Sequence, residues 1–521
     1  MMMRVPGQGA SARELLEAAR PWLREAFVLE GLLRNRVDHE EFATWMERGA
    51  RLLDGLARHP FGRLRDLAAA SRCDAQEFAS LMSALLSEES VRAFVSEASD
   101  SAYRRNTIQP IIDTGAFDAV VEGRYRYPFT VGIYPAVSCM LSCNFCGRVP
   151  HAEYKWSQVE RGNELLREVF AQAPTDAPGR FYISGGLEPL TNPGLDKLVR
   201  FAAGRGFKLQ LYTNAMMLTR SFLEKHEGLW DLDTIRISLY GADDAMTEQT
   251  TKRAGVASRV IANAKEFVQF RSEVKATTRL AFNYVVQSGQ VRHLREIGRL
   301  VAEIAEQGED SGSIAFLSLR ENYAASGDTA VCGEEREQLR DELFALGQFF
   351  SERGLSDLTI DFGYAMEGLM KGRETGPVHR VTHQEMCERG YPQISVVVDL
   401  LGDIYLYREA AFLGRKGADR YIIGRLGRDG SFEQILERYI AEGHQGVRPA
   451  PGDELFLDAF DHAVTAYLRQ VSDDMAFTAE LAPLPERVEL GVAPPVRNTL
   501  WASHNVRSIR EKYVPPLAIG S

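Results

Sequence analysis

An α/β fold is predicted for this chain: six βα units building a parallel sheet, a helical region before them and an extension after them. Three observations point to it. From Phe129 onward short β-branched and aromatic runs alternate with helix-periodic stretches, which is the rhythm of βα units. Before that point the pattern is helical throughout. The first apolar run also leads straight into a loop bearing Cys139, Cys143 and Cys146, at the carboxyl end of a strand, where parallel α/β proteins carry their working residues.

Taken in order, Ser11 is a candidate N-cap for a helix in which Leu15, Leu16, Ala19 and Leu23 recur at helix spacing. Further helices are expected over residues 41–56, 64–70 and 75–86. Residues 1–105 hold no catalytic constellation, and the lone Cys73 reads as a small apolar residue. This domain is expected to cover the core or mediate assembly.

Strands are expected at 129–134, 181–184, 209–212, 234–239, 280–286 and 314–319, with helices near 159–171, 195–203, 220–227, 257–270 and 292–305. Periodicity alone does not separate a partial barrel from a doubly wound sheet. A helix over 334–350 and a strand-like run over 358–364 follow, the latter bringing Asp361, Tyr364 and Glu367, which suit a pocket wall or an edge strand. Next come two strands, 394–399 and 404–409, around the turn Leu401-Gly402-Asp403. Arg415, Lys416, Arg420 and Arg425 then form a basic run, which is either a solvated loop or, through planar guanidinium forks, a diphosphate pocket. The domains expected are 1–105, 106–325, 326–430 and a helical tail, 431–521.

The cysteine loop reads IYPAVSCMLSCNFCGRVP, with three residues between the first pair of cysteines and two between the second. Three thiolates are one ligand short of a closed tetrahedral site. A [4Fe-4S] cluster held by three cysteines keeps one iron open to a small molecule. Structural zinc would want a fourth ligand nearby, and His151 is the only candidate. Cys332 and Cys387 are isolated, so a single cluster is expected.

Composition sets outer bounds. Apolar content of 45% and charged content of 26% are ordinary for a globular protein of 521 residues. A net charge of −11 argues against nucleic acid as a partner, because phosphate contacts need surplus Lys and Arg. No apolar run approaches a bilayer span and the first residues lack a signal peptide's apolar centre, so a cytoplasmic protein without a membrane partner is expected. Six cysteines, three of them on one loop, are not a disulfide framework.

The cysteine spacing, with Phe145 beside Cys146, resembles the signature of the radical S-adenosylmethionine (SAM) superfamily. That resemblance implies a partial (β/α)6 barrel, a [4Fe-4S] cluster on Cys139, Cys143 and Cys146, and SAM chelated by its amino and carboxylate groups at the open iron. It further implies that Phe145 covers the adenine, that Gly185, Gly186 and Glu188 of SGGLEP correspond to the glycine-glycine-glutamate motif with Leu187 inserted, and that Asn214 and Ser238 reach the ribose or methionine carboxylate. The hairpin over 394–409 resembles the extension that holds auxiliary clusters, but Tyr407, Arg408 and Glu409 stand where its ligands would be. GAFDA, SGGLEPLTNPGL, LYTN, ISLYG with EQTT, IDFGYA and LGDIYLYREA resemble the radical SAM deaminases of desosamine biosynthesis, from about Tyr103 to Ile440.

Those enzymes act as ammonia-lyases on a TDP-linked aminodideoxyhexose. The resemblance therefore implies a nucleotide-sugar or aminosugar substrate and an external one-electron donor such as flavodoxin or ferredoxin. Hydrogen abstraction would occur beside the amine-bearing carbon, followed by expulsion of ammonium. Glu321, Tyr364 and Glu409 are the candidate bases, and Asn283, Arg320, Arg408 and Arg425 the candidate substrate contacts. Two alternatives stay open: a radical SAM dehydrogenase of a sugar or aminocyclitol, and a non-catalytic sugar-nucleotide-binding protein with a structural cluster.

Overall fold

The computed structural model describes residues 11–480 except 35–40, 60–61, 100–101, 309–310, 322–330, 332, 356–357, 364–365, 368, 370–380, 387–388 and 443–446. Tyr364, Asn322, Cys332, Cys387 and the tail beyond residue 480 fall outside the described residues, as does the side chain of Glu321. The chain divides into two units, one spanning Thr107–Thr465 and the other formed by the segments on either side of it.

The flanking unit is helical. Ser11 caps the helix Ala12–Leu33 in a reciprocal box with Glu14, which satisfies amide groups that the first helical turn leaves without partners. Its helical spacing buries Leu16 and Leu23 against Leu52, Phe78, Leu81 and Leu85. Cys73 packs at the margin of this core, and burial pushes its thiol up to about 12, as suits a small apolar residue.

The central unit is built on a ten-stranded sheet. In chain order its strands are β1 (Thr130–Tyr134), β2 (Phe181–Ile183), β3 (Gln210–Thr213), β4 (Thr234–Leu239), β5 (Arg279–Val286), β6 (Ile314–Glu321), β7 (Thr359–Phe362), β8 (Ser395–Asp399), β9 (Asp403–Tyr405) and β10 (Ile422–Arg425). They lie in the order β10-β9-β8-β1-β2-β3-β4-β5-β6-β7. β1 to β7 are parallel neighbours in sequence order, and β8 returns beside the free edge of β1, also parallel. β8 and β9 form the expected hairpin, but β9 stops at Tyr405, and residues 406–409, expected to continue it, turn away from the sheet. β10 was not expected. Its residues Ile422-Ile423-Gly424-Arg425 lie within the basic run and pair antiparallel with β9, whose open edge holds them as a strand. β7 is the opposite sheet edge.

Alternation along the strands sorts residues between two environments. Ile235, Ile237, Phe282, Tyr284, Leu317, Leu319, Val396 and Val398 enter the main apolar core with residues of the covering helices, such as Leu166, Phe170, Leu198 and Phe267. The intervening residues are different in kind: Tyr182 on β2, Tyr212 on β3, Arg236 and Ser238 on β4, Asn283 on β5, Ser318 and Arg320 on β6, Asp361 on β7. They form the polar side of the sheet. The register aligns Ser238 with Asn283, Asn283 with Ser318 and Ser318 with Asp361, so four hydrogen-bonding side chains run across four adjacent strands in one row.

Candidate active site

The loop after β1 carries the three cysteines, and it is fixed from two sides. On one, Thr191 Oγ1 accepts the amides of Val137 and Ser138 at 3.1 and 3.2 Å, the Glu188 amide donates to the Ser138 carbonyl at 2.9 Å, and Asn192 Nδ2 donates to the Pro135 carbonyl at 2.7 Å. On the other, the helix Asp244–Thr251 ends at Lys252 in the left-handed region, φ 59°. Carbonyls in a last helical turn lack intrahelical partners, and here two of them serve the loop. Thr251 accepts the Ser142 amide at 3.1 Å and Thr250 the Asn144 amide at 2.9 Å.

None of the three thiols is in a disulfide, and all are partly buried. Burial pushes each of them up, Cys143 to about 12, and Cys139 and Cys143 also feel a neighbouring thiol. Buried neutral thiols ionise only when a cation compensates, so metal loading here releases protons. Among the described residues no three His, Cys, Asp or Glu side chains converge on one point as a mononuclear ion requires. Three soft donors spaced along one loop instead suit ligands to separate irons of a cluster.

Around the loop the other sequence candidates divide by what their atoms already do. Glu188 is buried, and its carboxylate accepts from Thr213 Oγ1 at 2.6 Å, the Asn214 amide at 2.8 Å and the Leu190 amide at 3.1 Å. Burial raises its carboxyl even though those bonds act the other way. Its side chain therefore ties the β2 loop to the end of β3, and the neighbouring glycine backbone is the part free to approach a ligand. Gly185 sits at φ 135°, where a side chain would be strained and its Cβ would come within 3.1 Å of the Tyr134 ring. A Cβ on Gly186 would come within 2.7 Å of the Phe412 ring.

Asn214 directs Nδ2 at Met140 Sδ, 3.1 Å away, and at Cys139 Sγ, 3.9 Å away. Phe145 stacks on Tyr240, centroids 6.1 Å apart and planes 29° from parallel. The Tyr240 phenol, pushed well up by burial, lies beside Ser238 and Cys143. Phe145, Asn214 and Ser238 thus do gather around the cysteine loop. The donor set, the open glycine backbone and the flat aromatic wall fit an iron-sulfur cluster carrying a small amino-acid ligand.

The expected substrate residues are less uniform. Asn283 holds the middle of the polar row. Arg320 is committed to Asp361, donating to its carboxylate at 2.5 Å and to its carbonyl at 2.8 Å. Arg408 lies between two rings, 4.9 Å from the Tyr182 centroid and 4.0 Å from that of Phe460, and pairs with Asp458 at 3.2 Å. Arg425 directs its fork at the buried Asp403 carboxylate, which makes it a tie between β10 and β9. Among the candidate bases, Glu409 is the one whose side chain is described. It pairs with Arg415 at 2.9 Å, and burial raises its carboxyl to about 7. A Cβ on Gly147, next to Cys146, would lie 2.7 Å from its Oε2, so Glu409 backs directly onto the cysteine loop.

Sequence reading passed over Arg236. It lies on the polar side of β4, donates to the Tyr212 hydroxyl, and stands 4.8 and 4.3 Å from the ring centroids of Tyr212 and Phe316. Its Nε is buried without a hydrogen-bond partner, and no carboxylate pairs with it among the described residues. The available signal was an arginine two residues before Ser238 inside an apolar strand.

The Radical SAM superfamily model matches residues 133–309. The chain is 37% identical over 440 residues to a protein of Streptomyces venezuelae named dTDP-4-amino-4,6-dideoxy-D-glucose ammonia-lyase, spanning 84% of this chain and 90% of that one. Among solved structures, Streptococcus suis SuiB bound to precursor peptide SuiA aligns with TM-score 0.43 and 16% identity, covering 67% of this chain and 69% of that chain. The structure described as native anSMEcpe with bound AdoMet and a peptide aligns with TM-score 0.42 and 16% identity, covering 66% of this chain and 98% of that chain. Among the described residues no helix is long and apolar enough to cross a membrane.

Proposed function

The chain belongs to the radical SAM superfamily, and on that premise we propose that it is an ammonia-lyase acting on a TDP-linked amino-deoxysugar with one [4Fe-4S] cluster. The observation that carries this reading is the match to the S. venezuelae ammonia-lyase, which runs through most of both chains. When bound on Cys139, Cys143 and Cys146, the cluster together with SAM would supply a 5′-deoxyadenosyl radical capable of removing hydrogen from carbon.

The chain's own residues then have separable tasks. Glu188, Thr191 and Asn192 hold the cysteine loop against β2, which keeps the thiols and the Gly185-Gly186 backbone in one fixed relation. Phe145 and Tyr240 provide the flat wall for a purine. The row Ser238, Asn283 and Ser318 offers donors and acceptors for sugar hydroxyls and amine, and Asp361 at its end is already paired with Arg320. Arg236 offers charge for an oxygen-rich group of the substrate. Glu409, with a carboxyl near neutrality, is the candidate acceptor for the hydroxyl proton that must leave as the adjacent C–N bond breaks and a carbonyl forms.

The deciding experiment is anaerobic reconstitution with iron and sulfide, followed by SAM, a low-potential reductant and a panel of TDP-aminosugars. Ammonia and a keto-deoxysugar of matching mass are expected from the 4-amino-4,6-dideoxy sugar. A ketone that retains its nitrogen would mark a dehydrogenase. Purified protein that holds only zinc would sink the reading altogether.

A further inference from the structure

We propose that Arg236 anchors the diphosphate of the nucleotide sugar and thereby fixes which end of the pyranose ring faces the cysteine loop. The inference rests on the ammonia-lyase reading for the identity of the anion, and adds to it a place and an orientation for the substrate.

The placement comes from β4. Alternation puts Arg236, Ser238 and Tyr240 on the polar side of that strand and its end, at steps of two residues, about 7 Å each. Tyr240, the furthest along, stacks on Phe145 of the cysteine loop. Ser238 stands in the polar row beside Asn283, and Arg236 lies one step deeper. The three residues therefore mark three depths along one wall of the site.

The strands on either side shape the place where the arginine lies. Its register neighbour on β5 is Ala281, whose small side chain leaves room for a long one to lie across that strand and meet the Phe316 ring on β6. Its register neighbour on β3 is Tyr212, which supplies the second ring. A guanidinium packed by two rings keeps its orientation, and its N–H edge is what remains for hydrogen bonding. Part of that edge goes to the Tyr212 hydroxyl, while Nε is buried without a partner. The Tyr212 oxygen accepts from the arginine and so keeps its own hydrogen for an acceptor.

The neighbouring charges are matched elsewhere. Asp361 pairs with Arg320, Asp458 with Arg408 and Glu409 with Arg415. Asp461 accepts from the Arg408 amide and from Tyr391, and burial holds its carboxyl well up. Glu188 accepts from Thr213 and two backbone amides. Arg236 meets no carboxylate among the described residues, so an anion brought by a ligand would complete it.

In a nucleotide amino-deoxysugar the diphosphate is the anionic group, and a guanidinium edge suits its oxygens. The diphosphate sits on the anomeric carbon, across the pyranose ring from the amine-bearing carbon. With the diphosphate at the depth of Arg236, the ring spans the step up to Ser238 and Asn283, and the amine-bearing carbon comes nearest the cysteine loop. The reverse orientation would set a cationic amine against the arginine.

The test measures binding and turnover separately on the reconstituted full chain. Calorimetry with TDP as the probe should show at least about tenfold weaker binding in Arg236→Met. Arg236→Lys, which keeps the charge without the fork, should lose less, and Tyr212→Phe, which removes one donor, about threefold. SAM affinity, measured in parallel, should hold within about twofold in all three variants. KM for the nucleotide aminosugar should rise in the same order. Deoxyadenosine formed per ammonia released should also rise in Arg236→Met, because a ring no longer held by its anomeric end presents other carbons. An unchanged ratio would overturn the orientation. Unchanged TDP affinity in Arg236→Met, or no TDP binding by the parent, would overturn the anchor. So would equal losses of TDP and SAM affinity, which would mark Arg236 as a support of the fold. If no nucleotide aminosugar releases ammonia, the ammonia-lyase reading fails, and the TDP affinities still decide whether Arg236 holds a diphosphate.

Discussion

Glu188 offers the sharpest check on how the site is held together. Its carboxylate accepts one hydroxyl and two backbone amides, all buried, and joins the β2 loop to the first residue beyond β3. Glu188→Ala removes all three bonds and leaves two amides without acceptors. At about 1.5–3 kcal/mol for a hydrogen bond to a charged group, less the relief of no longer burying that charge, the expected loss is about 3–5 kcal/mol. Against a total of roughly 5–15 kcal/mol, that is a large fraction. Glu188→Gln separates the components. Its remaining oxygen can still serve Leu190 and Thr213, but its amide group then faces the Asn214 N–H, donor against donor, for a loss of about 1–2 kcal/mol. Thr213→Val, which removes one bond, should cost about 1 kcal/mol. Urea unfolding of the three variants gives these differences, and iron content after reconstitution reports whether the cysteine loop kept its shape. An alanine variant as stable as the parent and equally able to hold iron would refute the account, because the three bonds would then carry no net energy.

Other expectations follow from the same geometry. Arg236→Met keeps an unbranched chain between the Tyr212 and Phe316 rings while deleting the charge; kcat/KM for the nucleotide aminosugar should drop at least about tenfold with little change in melting temperature, whereas a purely structural arginine would show the reverse. Arg425→Leu strands the buried Asp403 carboxylate and should destabilise the protein by about 2 kcal/mol in urea unfolding, discounted for the partial exposure of the arginine, with KM unmoved. Burial raises Asp399 from 3.8 to about 7, so the folded chain keeps a proton there that the unfolded chain releases, and the stability it contributes is present below pH 4 and falls as pH rises toward 7. Unfolding free energies at pH 5 and pH 8 should therefore differ less in Asp399→Asn than in the parent. If Glu409 accepts the hydroxyl proton, kcat should climb through pH of about 7 as its carboxyl ionises, and Glu409→Gln should abolish that limb while leaving SAM binding intact.

The βα rhythm and the cysteine spacing are local properties, and both are legible in the chain. Six strands, their five intervening helices, the Ser11 cap and the hairpin from β8 to β9 all follow from apolar periodicity and turn chemistry over a few residues. The short helix Asp244–Thr251 was less visible, since threonines and acids dominate it, and its role appears only when Thr250 and Thr251 are seen to hold the cysteine loop. β10 hid within a basic run for a related reason: a four-residue strand is held in place by the partner that pairs with it, not by its own composition.

By itself the sequence determined what chemistry the chain can host, because three thiols on one loop after a strand and a glycine pair after the next are set by order and spacing alone. Only the tertiary structure decided which polar groups remain available to a substrate. Arg320, Arg408 and Arg425 looked alike as arginines near strand ends, yet each has met a carboxylate from a distant segment, Asp361, Asp458 and Asp403, while Arg236 has met none among the described residues. Ion pairing across long separations depends on which strands become neighbours and which way alternating side chains point, and neither is fixed until the whole sheet has formed.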